Sequence, residues 1–270
     1  MSGGERLDQA LVARGLARSR GQARELLEAG RVRLNEAPAA KPATRVGPGD
    51  RLAIDGDLNI RVGRGADKLD AAVTAFEPAG LAVAGKRALD VGASTGGFTQ
   101  ILLERGASEV LALDVGHDQL AEPVRSDPRV HDLSGRSIRG LTPDDIGGSV
   151  DLLVADLSFI SLTLVMADLE RVCGEAADLI LLIKPQFEVG RGRLDKKGIV
   201  RDPTDRAGAV RDVLQAGVDA GLCVRGLIAS PVVGTHGNRE YLGWLAKGGN
   251  VSASWQALEE QIDDLVRRDP

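Results

Sequence analysis

The sequence predicts a doubly wound α/β domain preceded by a small α+β module, and three observations carry that prediction. From Asp67 onward, segments that are apolar along their whole length (KRALDV, EVLALDVG, DLLVADLSF, DLILLIKP) alternate with helical stretches such as FTQILLERG and SLTLVMADLERV. Strands of that kind, separated by helices, argue a parallel sheet covered on both faces. Residues 6–54 show a different rhythm, two short helical periodicities followed by strand and turn signals. Charge divides along the same line: residues 1–64 carry 12 Lys+Arg against 8 Asp+Glu, while the rest of the chain carries 22 against 31 and brings the net charge to −5. A chain of 270 residues, 43% hydrophobic, suits one large and one small domain.

The first module opens with RLDQALVARG (6–15), where Leu7 and Leu11 lie one turn apart and Gly15 supplies a stop, the pattern of a short amphipathic helix. A second helix starts at Ser19, which forms a capping-box pattern with Gln22. Ala23, Leu26 and Leu27 make its apolar stripe and Gly30 its left-handed end. RVRLNEAPAA then reads as strand and turn, and GPGD (47–50) as the turn before RLAI. Seven arginines fall between Arg6 and Arg33, and forked guanidinium donors suit phosphates. Arg6, Leu7, Asp8, Ser19, Arg20, Ala23, Gly30, Val32 and Asn35 together make this module, residues 1–58, resemble the S4 RNA-binding domain. The resemblance implies docking on structured RNA, with Arg6, Arg14, Arg20 and Arg24 as contacts.

DGDLNIRVGRG (55–65) has the polar, glycine-containing composition of a hinge, so a linker is expected at 59–66 and the second domain at 67–270, beginning with helical ADKLDAAVTAF. Ligands of doubly wound sheets bind at the carboxyl ends of the strands. Asp90 and a glycine loop from Gly92 to Gly97 end one strand, and Asp114, Asp156 and Lys184 end others. A dinucleotide fingerprint needs glycine where Ser94 stands, and a Walker loop needs a Gly-Lys-Ser/Thr ending. Asp114, 22 residues after Gly92, suits a ribose diol, yet the loop offers no phosphate partner. An adenosine carrying an amino acid instead of a pyrophosphate meets both conditions, and S-adenosylmethionine (SAM) is that molecule. Its expected contacts are Asp90, Gly92, Ser94, Gly96, Gly97, Phe98, Asp114, Ser137 and Asp156, with Asp90 suited to the ammonium or to ordering the loop.

Lys184 closes a buried strand, where desolvation and a neighbouring cation would lower its pKa toward useful basicity. Lys68, in RGADKLD, is the candidate for that cation, and Glu240, in THGNREYL, is a further acid. Each alone also fits a solvated surface. In order and context, Lys68, Asp156, Lys184 and Glu240 match the Lys-Asp-Lys-Glu tetrad of FtsJ-like ribose 2′-O-methyltransferases. The phrases RGADKL, DVGASTGGFT, VADLSFISL, KPQFEVG and GNREY resemble more closely the TlyA family, which joins an S4 domain to such a methyltransferase.

That resemblance runs from about residue 5 to about residue 265. It implies the Rossmann-like fold of class I SAM-dependent methyltransferases and transfer to the 2′-oxygen of cytidine in 16S or 23S rRNA, or both, within ribosomal subunits. It also implies catalysis without metal, with Lys184 as base, Lys68 tuning it, and Asp156 and Glu240 orienting it. The target nucleotide is expected to turn out of its stack. Three departures stand out. IRVGRG carries Arg61 and Gly63 where the family has an aromatic and a serine, His117 in DVGHDQL replaces a tyrosine, and SGRS (134–137) replaces Glu-x-Thr-Asn on the adenine side. His117 reads as a packing residue.

Cys173 and Cys223 lie in apolar segments without metal-ligand spacing, so reduced thiols are expected. No apolar stretch approaches the roughly 20 residues that cross a bilayer. The start MSGGERLDQ lacks a signal-peptide pattern, so a cytoplasmic location is expected. The alternative from another class is a ribosome-binding or assembly factor with weak or no methyl transfer, motivated by SGRS and Arg61. A membrane-lytic protein, suggested by the haemolysin label that some family members carry, is disfavoured by the lack of a basic amphipathic segment.

Overall fold

The computed structural model describes residues 4–17, 20–55, 61–234, 237–248 and 255–268. The chain divides into two compact units, Met1–Ile60 and Arg61–Pro270. The first contains β1 (Glu5–Arg6), α1 (Leu7–Ala13), α2 (Arg20–Glu28), β2 (Val32–Leu34), β3 (Ala37–Pro38), β4 (Arg45–Val46) and β5 (Leu52–Ile54). Gly30 closes α2 in the left-handed region (φ +68°), donating to Leu27 O while Arg31 donates to Leu26 O. The capping box expected at Ser19 lies outside the described residues. Asn35 and Glu36, at φ +50° and +69°, make the two-residue turn between β2 and β3. Asn35 also fixes the next turn, donating to Asp50 and accepting from the Arg51 amide. Leu7, Leu11, Ala23, Leu27, Val32 and Val46 form this unit's core.

The second unit runs α3 (Gly65–Phe76), β6 (Arg87–Val91), α4 (Gly97–Glu104), β7 (Glu109–Asp114), α5 (Glu122–Arg125), β8 (Val130–Ser134), β9 (Val150–Ala155), α6 (Met166–Arg171), β10 (Cys173–Ile183), α7 (Pro185–Glu188), α8 (Pro203–Asp219), β11 (Leu222–Ala229), β12 (Tyr241–Lys247) and α9 (Trp255–Arg268). Its sheet has the order β11-β12-β10-β9-β6-β7-β8. The five strands from β10 to β8 are parallel, as expected, while β12 is antiparallel to both its neighbours. Among the described residues no helix joins β11 to β12, and a connection without a crossover helix permits only an antiparallel partner.

Period-two alternation explains why the strands are apolar throughout. Leu89, Val91, Leu111, Leu113, Leu153, Ala155, Leu179 and Leu181 pack toward α6, α8 and α9. Ala88, Val110, Leu152, Val154, Ile180 and Leu182 pack toward α3 and α4. Chain order reverses between β6 and β9, which creates a crevice at their carboxyl ends.

Neither Cys173 nor Cys223 is joined in a disulfide. Among the described residues no helix is long and apolar enough to cross a membrane, and no cluster of three or more His, Cys, Asp or Glu is arranged to hold a metal ion. Leu153→Ala, at a fully buried sheet position, is expected to lower the unfolding free energy by about 3 kcal/mol. Leu164→Ala, at a position 67% exposed, should cost less than about 0.5 kcal/mol, both read from urea midpoints.

Candidate active site

At the crevice, the Asp156 amide donates to Val91 O at 3.0 Å. Gly92 has φ +87°, and a Cβ there would stand 2.6 Å from the Asp156 carbonyl oxygen, so residue 92 must be glycine both for its dihedral and for the close approach. The loop then turns through Ser94 (φ +47°) and Gly96 (φ +91°) into α4. Asp114, at the end of β7, accepts from the amides of Ser94 (2.9 Å) and Gly116 (2.7 Å). A cavity of about 620 Å³ opens beside it, walled by Gly92, Ser94, Asp114, Val115, Ser137, Ile138, Asp156 and Leu157 among others. A second, of about 340 Å³, holds Lys68, Asp156, Lys184 and Glu240, with Gly97 and Phe98 in its wall. Gly92, Ser94, Asp156 and Ser158 line both.

The four expected reactive residues come from the first turn of α3, the end of β9, the β10–α7 junction and the start of β12, and they meet as two ion pairs. Lys68 Nζ lies 2.5 Å from Glu240 Oε2, and Lys184 Nζ lies 2.6 Å from Asp156 Oδ1 and 2.9 Å from Ser158 Oγ. Lys68, Lys184 and Glu240 are buried. The pairing corrects one expectation. Lys68 is not a free cation acting on Lys184, because its charge is met by Glu240, and the nearest charge to Lys184 is a carboxylate.

Two expected cofactor contacts lie off the cavity walls. Asp90 is fully buried beneath the loop, accepting from Thr99 Oγ1 at 2.6 Å, and its Oδ1 has no partner. Burial, with the charges of Asp156 and Asp114 adding to it, pushes its pKa up to about 7 against the opposing Thr99 bond. Its place is to order the loop from below. Gly96 faces Val124, where a Cβ would come within 2.9 Å of Cγ1. Ser137 stands in the wall, its Oγ accepting from the Arg139 amide. The SGRS turn is tied to the end of β7 by main-chain bonds, Gly135 to Gly116 O and Arg136 to Asp114 O. His117 is exposed and its ring lies against Gly135, a packing position.

The expected linker at 59–66 is packed chain from residue 61 on, and residues 56–60 lie outside the described residues. Arg61 pairs with Asp67 and Asp70, each at 2.6 Å. Val62 is buried, its amide donates to Gln100 Oε1 and its carbonyl accepts from Thr95 Oγ1, so this stretch grips the glycine loop. Phe159 was also missed by sequence reasoning. It is 92% exposed in the first cavity's wall, at φ +65°, with its ring 5.2 Å from that of Phe187. A phenylalanine three residues past a strand-ending acid, in a chain with four, was the available signal.

In the first unit, Arg6, Arg20 and Arg24 converge on the buried carboxylate of Asp8 at 2.9, 3.1 and 3.8 Å. The hydrogen bond from Arg6, then that from Arg20, holds the Asp8 pKa down at about 2 against desolvation. Arg14 does not join them. Its guanidinium donates to the carbonyls of Asp50 (2.5 Å) and Gly47 (3.0 Å).

Asp90 gives a pH prediction. Its folded pKa lies above the ordinary value of 3.8, so the native state keeps a proton that the unfolded chain releases. Stability attributable to it therefore falls as pH rises from about 4 to 7 and levels off above. The stability of Asp90→Asn relative to the native sequence should rise by about 3 kcal/mol between pH 5 and pH 8 in urea titrations. An unchanged difference would remove Asp90 as the titrating group.

Comparison with known proteins agrees with this geometry. The pattern of the FtsJ-like methyltransferases matches residues 61–247, and that of the S4 domain matches residues 5–52. The 16S/23S rRNA (cytidine-2′-O)-methyltransferase TlyA of Mycobacterium tuberculosis is 48% identical over 98% of both chains. A Bacillus subtilis protein, YqxC, provisionally named an rRNA methyltransferase, is 38% identical over 97% of this chain and 92% of its own. The solved structure of a Streptococcus thermophilus protein provisionally named a hemolysin superposes with TM-score 0.74 at 34% identity, covering 99% of this chain and 96% of that one. With an S4 domain ahead of a methyltransferase domain and a relative of this identity along its whole length, the chain belongs to the FtsJ-like methyltransferases and, within them, to the TlyA family.

Proposed function

We propose that this protein is a cytoplasmic enzyme that methylates the ribose 2′-oxygen of cytidine in ribosomal RNA, using SAM and acting on ribosomal subunits. The observation that carries the reading is the junction of the two cavities. Gly92, Ser94, Asp156 and Ser158 belong to both walls, so a group bound in the larger cavity and a hydroxyl held by the tetrad would meet across them.

The larger cavity fits SAM by the chemistry of its wall. Its volume suits a cofactor of that size. Asp114 offers acceptors for a ribose diol, and Val115, Ile138 and Leu157 offer apolar surface for a base. The turn at Gly92 and Ser94 itself carries no cation, and Arg136 stands elsewhere in the wall. When bound, SAM supplies an electrophilic methyl group.

On the other side of the junction, Lys184 is the residue we assign to the reacting hydroxyl. With its ammonium proton first released to solvent, its amine would take the proton from the ribose oxygen as that oxygen bonds to the methyl carbon and the carbon–sulfur bond breaks, in one displacement without a covalent enzyme intermediate. Asp156 and Ser158 fix the position of its Nζ, and the Lys68–Glu240 pair closes the far side of the cavity without adding net charge. A 2′-hydroxyl within a stacked helix cannot reach so buried a group, so the nucleotide has to be turned out. Phe159, exposed at the rim, gives an extruded or neighbouring base a ring to stack on. In the first unit, the cluster of Arg6, Arg20 and Arg24 supplies forked donors for RNA phosphates.

The test is incubation of small subunits, large subunits and free rRNA with the protein and methyl-labelled SAM, with the modified nucleotide mapped. Label is expected on a cytidine ribose. Absence of transfer to all three, under conditions where SAM binds, would favour an RNA-binding assembly factor. Lys184→Ala should lower turnover more than 100-fold while RNA affinity stays within about twofold. Arg20→Ala should weaken RNA binding and reduce the salt slope by about one, leaving turnover at saturating RNA intact.

A further inference from the structure

Phe159 is held in a way its own surroundings do not explain. A phenylalanine at φ +65° with 92% of its surface exposed is strained in its backbone and unrewarded by burial, and such a residue persists only where neighbouring contacts over-determine it. The restraint comes from α7. On one side, Phe187 lies against the Phe159 ring. On the other, the carboxylate of Glu188 grips the chain just past Phe159. The Ser161 hydroxyl donates to its Oε2 and the Leu162 amide to its Oε1 at 2.9 Å, while the Thr163 amide donates to Ser161 Oγ at 3.2 Å. Ser161 is itself the N-cap of the short turn Leu162–Leu164, and Glu188, from another element, takes the Leu162 amide and holds the capping hydroxyl in place.

The grip is made at a cost, which argues that the carboxylate is wanted there. Burial raises the Glu188 pKa, and Asp212 of α8 faces it as a like charge. An amide would avoid both penalties, but it has one acceptor oxygen where two donors, the Ser161 hydroxyl and the Leu162 amide, converge, so one bond is reversed or lost. Lys184, Phe187 and Glu188 fall within five consecutive residues, and all three fasten the segment 156–163.

We propose that Glu188 is a positioning residue. By clamping residues 161–163 to α7, it holds Phe159 ready to stack on a base of the RNA substrate and so sets the presentation of the target ribose to Lys184. This inference rests on the ribose methyltransferase reading. It predicts that Glu188 acts through Phe159, so their effects on catalysis are coupled.

The experiment is a double-mutant cycle on methyl transfer to rRNA, using Glu188→Gln, Phe159→Ala and the double variant, with kcat/KM for RNA and the thermal midpoint measured for each. Glu188→Gln is expected to lower kcat/KM about tenfold with a midpoint within about 2 °C of the native protein, and the double variant to be no slower than Phe159→Ala alone. Ser161→Ala, which loosens the clamp from the loop side, should show the same coupling, and it decides the matter if Glu188→Gln folds poorly. Effects that multiply independently of Phe159, or full activity in Glu188→Gln and Ser161→Ala, overturn the assignment. No transfer by the native protein to any RNA overturns the methyltransferase reading and this inference with it, whereas multiplicative effects on an active enzyme overturn the inference alone.

Discussion

Where β6 and β9 end side by side, the amide of Asp156 is bonded to Val91 and the carbonyl of Asp156 leaves no room for a side chain on residue 92. Much of the second unit's site follows from that backbone contact. It sets the loop that shapes the larger cavity directly against the segment that carries Asp156 and Ser158, so two cavities of different chemistry share a wall. Gly97 continues the same logic one turn on. A Cβ there would come 3.0 Å from the amide nitrogen of Ala66, so α3, and Lys68 with it, packs close against the start of α4. Two tight approaches, each needing glycine, thus place charged residues from distant parts of the chain around one small space.

Charge in that space is balanced locally. Lys68 with Glu240 and Lys184 with Asp156 are pairs in which partners lie within hydrogen-bonding distance, and three of the four side chains are buried. A single such charge left unpaired would cost several kcal/mol, so truncating one partner strands the other. Neutrality has a second effect. The site offers little long-range attraction to a polyanion, and the chain as a whole is acidic. On the proposed reading, attraction of RNA falls to surfaces away from the tetrad. Arg6, Arg20 and Arg24 form one, where Asp8 offsets one of three positive charges and holds the guanidinium groups together. The exposed cations Arg191, Lys196 and Lys197, following α7, add a local excess, while Arg193 and Arg201 beside them are paired with Asp205 and Asp195.

The parallel strands were legible because a sheet covered on both faces leaves an unbroken apolar run in the sequence. The same property hid the direction of β12, since YLGWLA reads alike in either orientation. The residues of the tetrad were legible one by one, but not their pairing: Lys68 and Glu240 are 172 positions apart, and no local spacing says which acid meets which lysine. Asp90 looked like a ligand because it stands one residue from a strand end. Alternation along β6 instead turns it, like Ala88, to the face covered by α3 and α4, where Thr99 awaits it. Arg14 was indistinguishable in type from Arg20. What separates them is a turn at 47–50 whose carbonyls take up its donors.

The three segments expected to depart from the family pattern are held through main-chain atoms. At the first, it is the amide and carbonyl of Val62 that bond to Gln100 and Thr95, while Arg61 turns aside to Asp67 and Asp70 and a Cβ on Gly63 would stand 3.0 Å from Thr95 Oγ1. Near His117, the carbonyl of Gly116 accepts from Gly135, and the ring itself rests on the outside of the turn. In SGRS, the amide of Arg136 bonds to the carbonyl of Asp114. Bonds of this kind do not depend on which side chain a position carries, provided its backbone can take the same path. A glycine at 135, with φ +78° and the imidazole where a Cβ would stand, makes that path available. Of these segments' side chains, Arg136 and Ser137 stand in the larger cavity's wall, while Arg61 and His117 lie off both cavities.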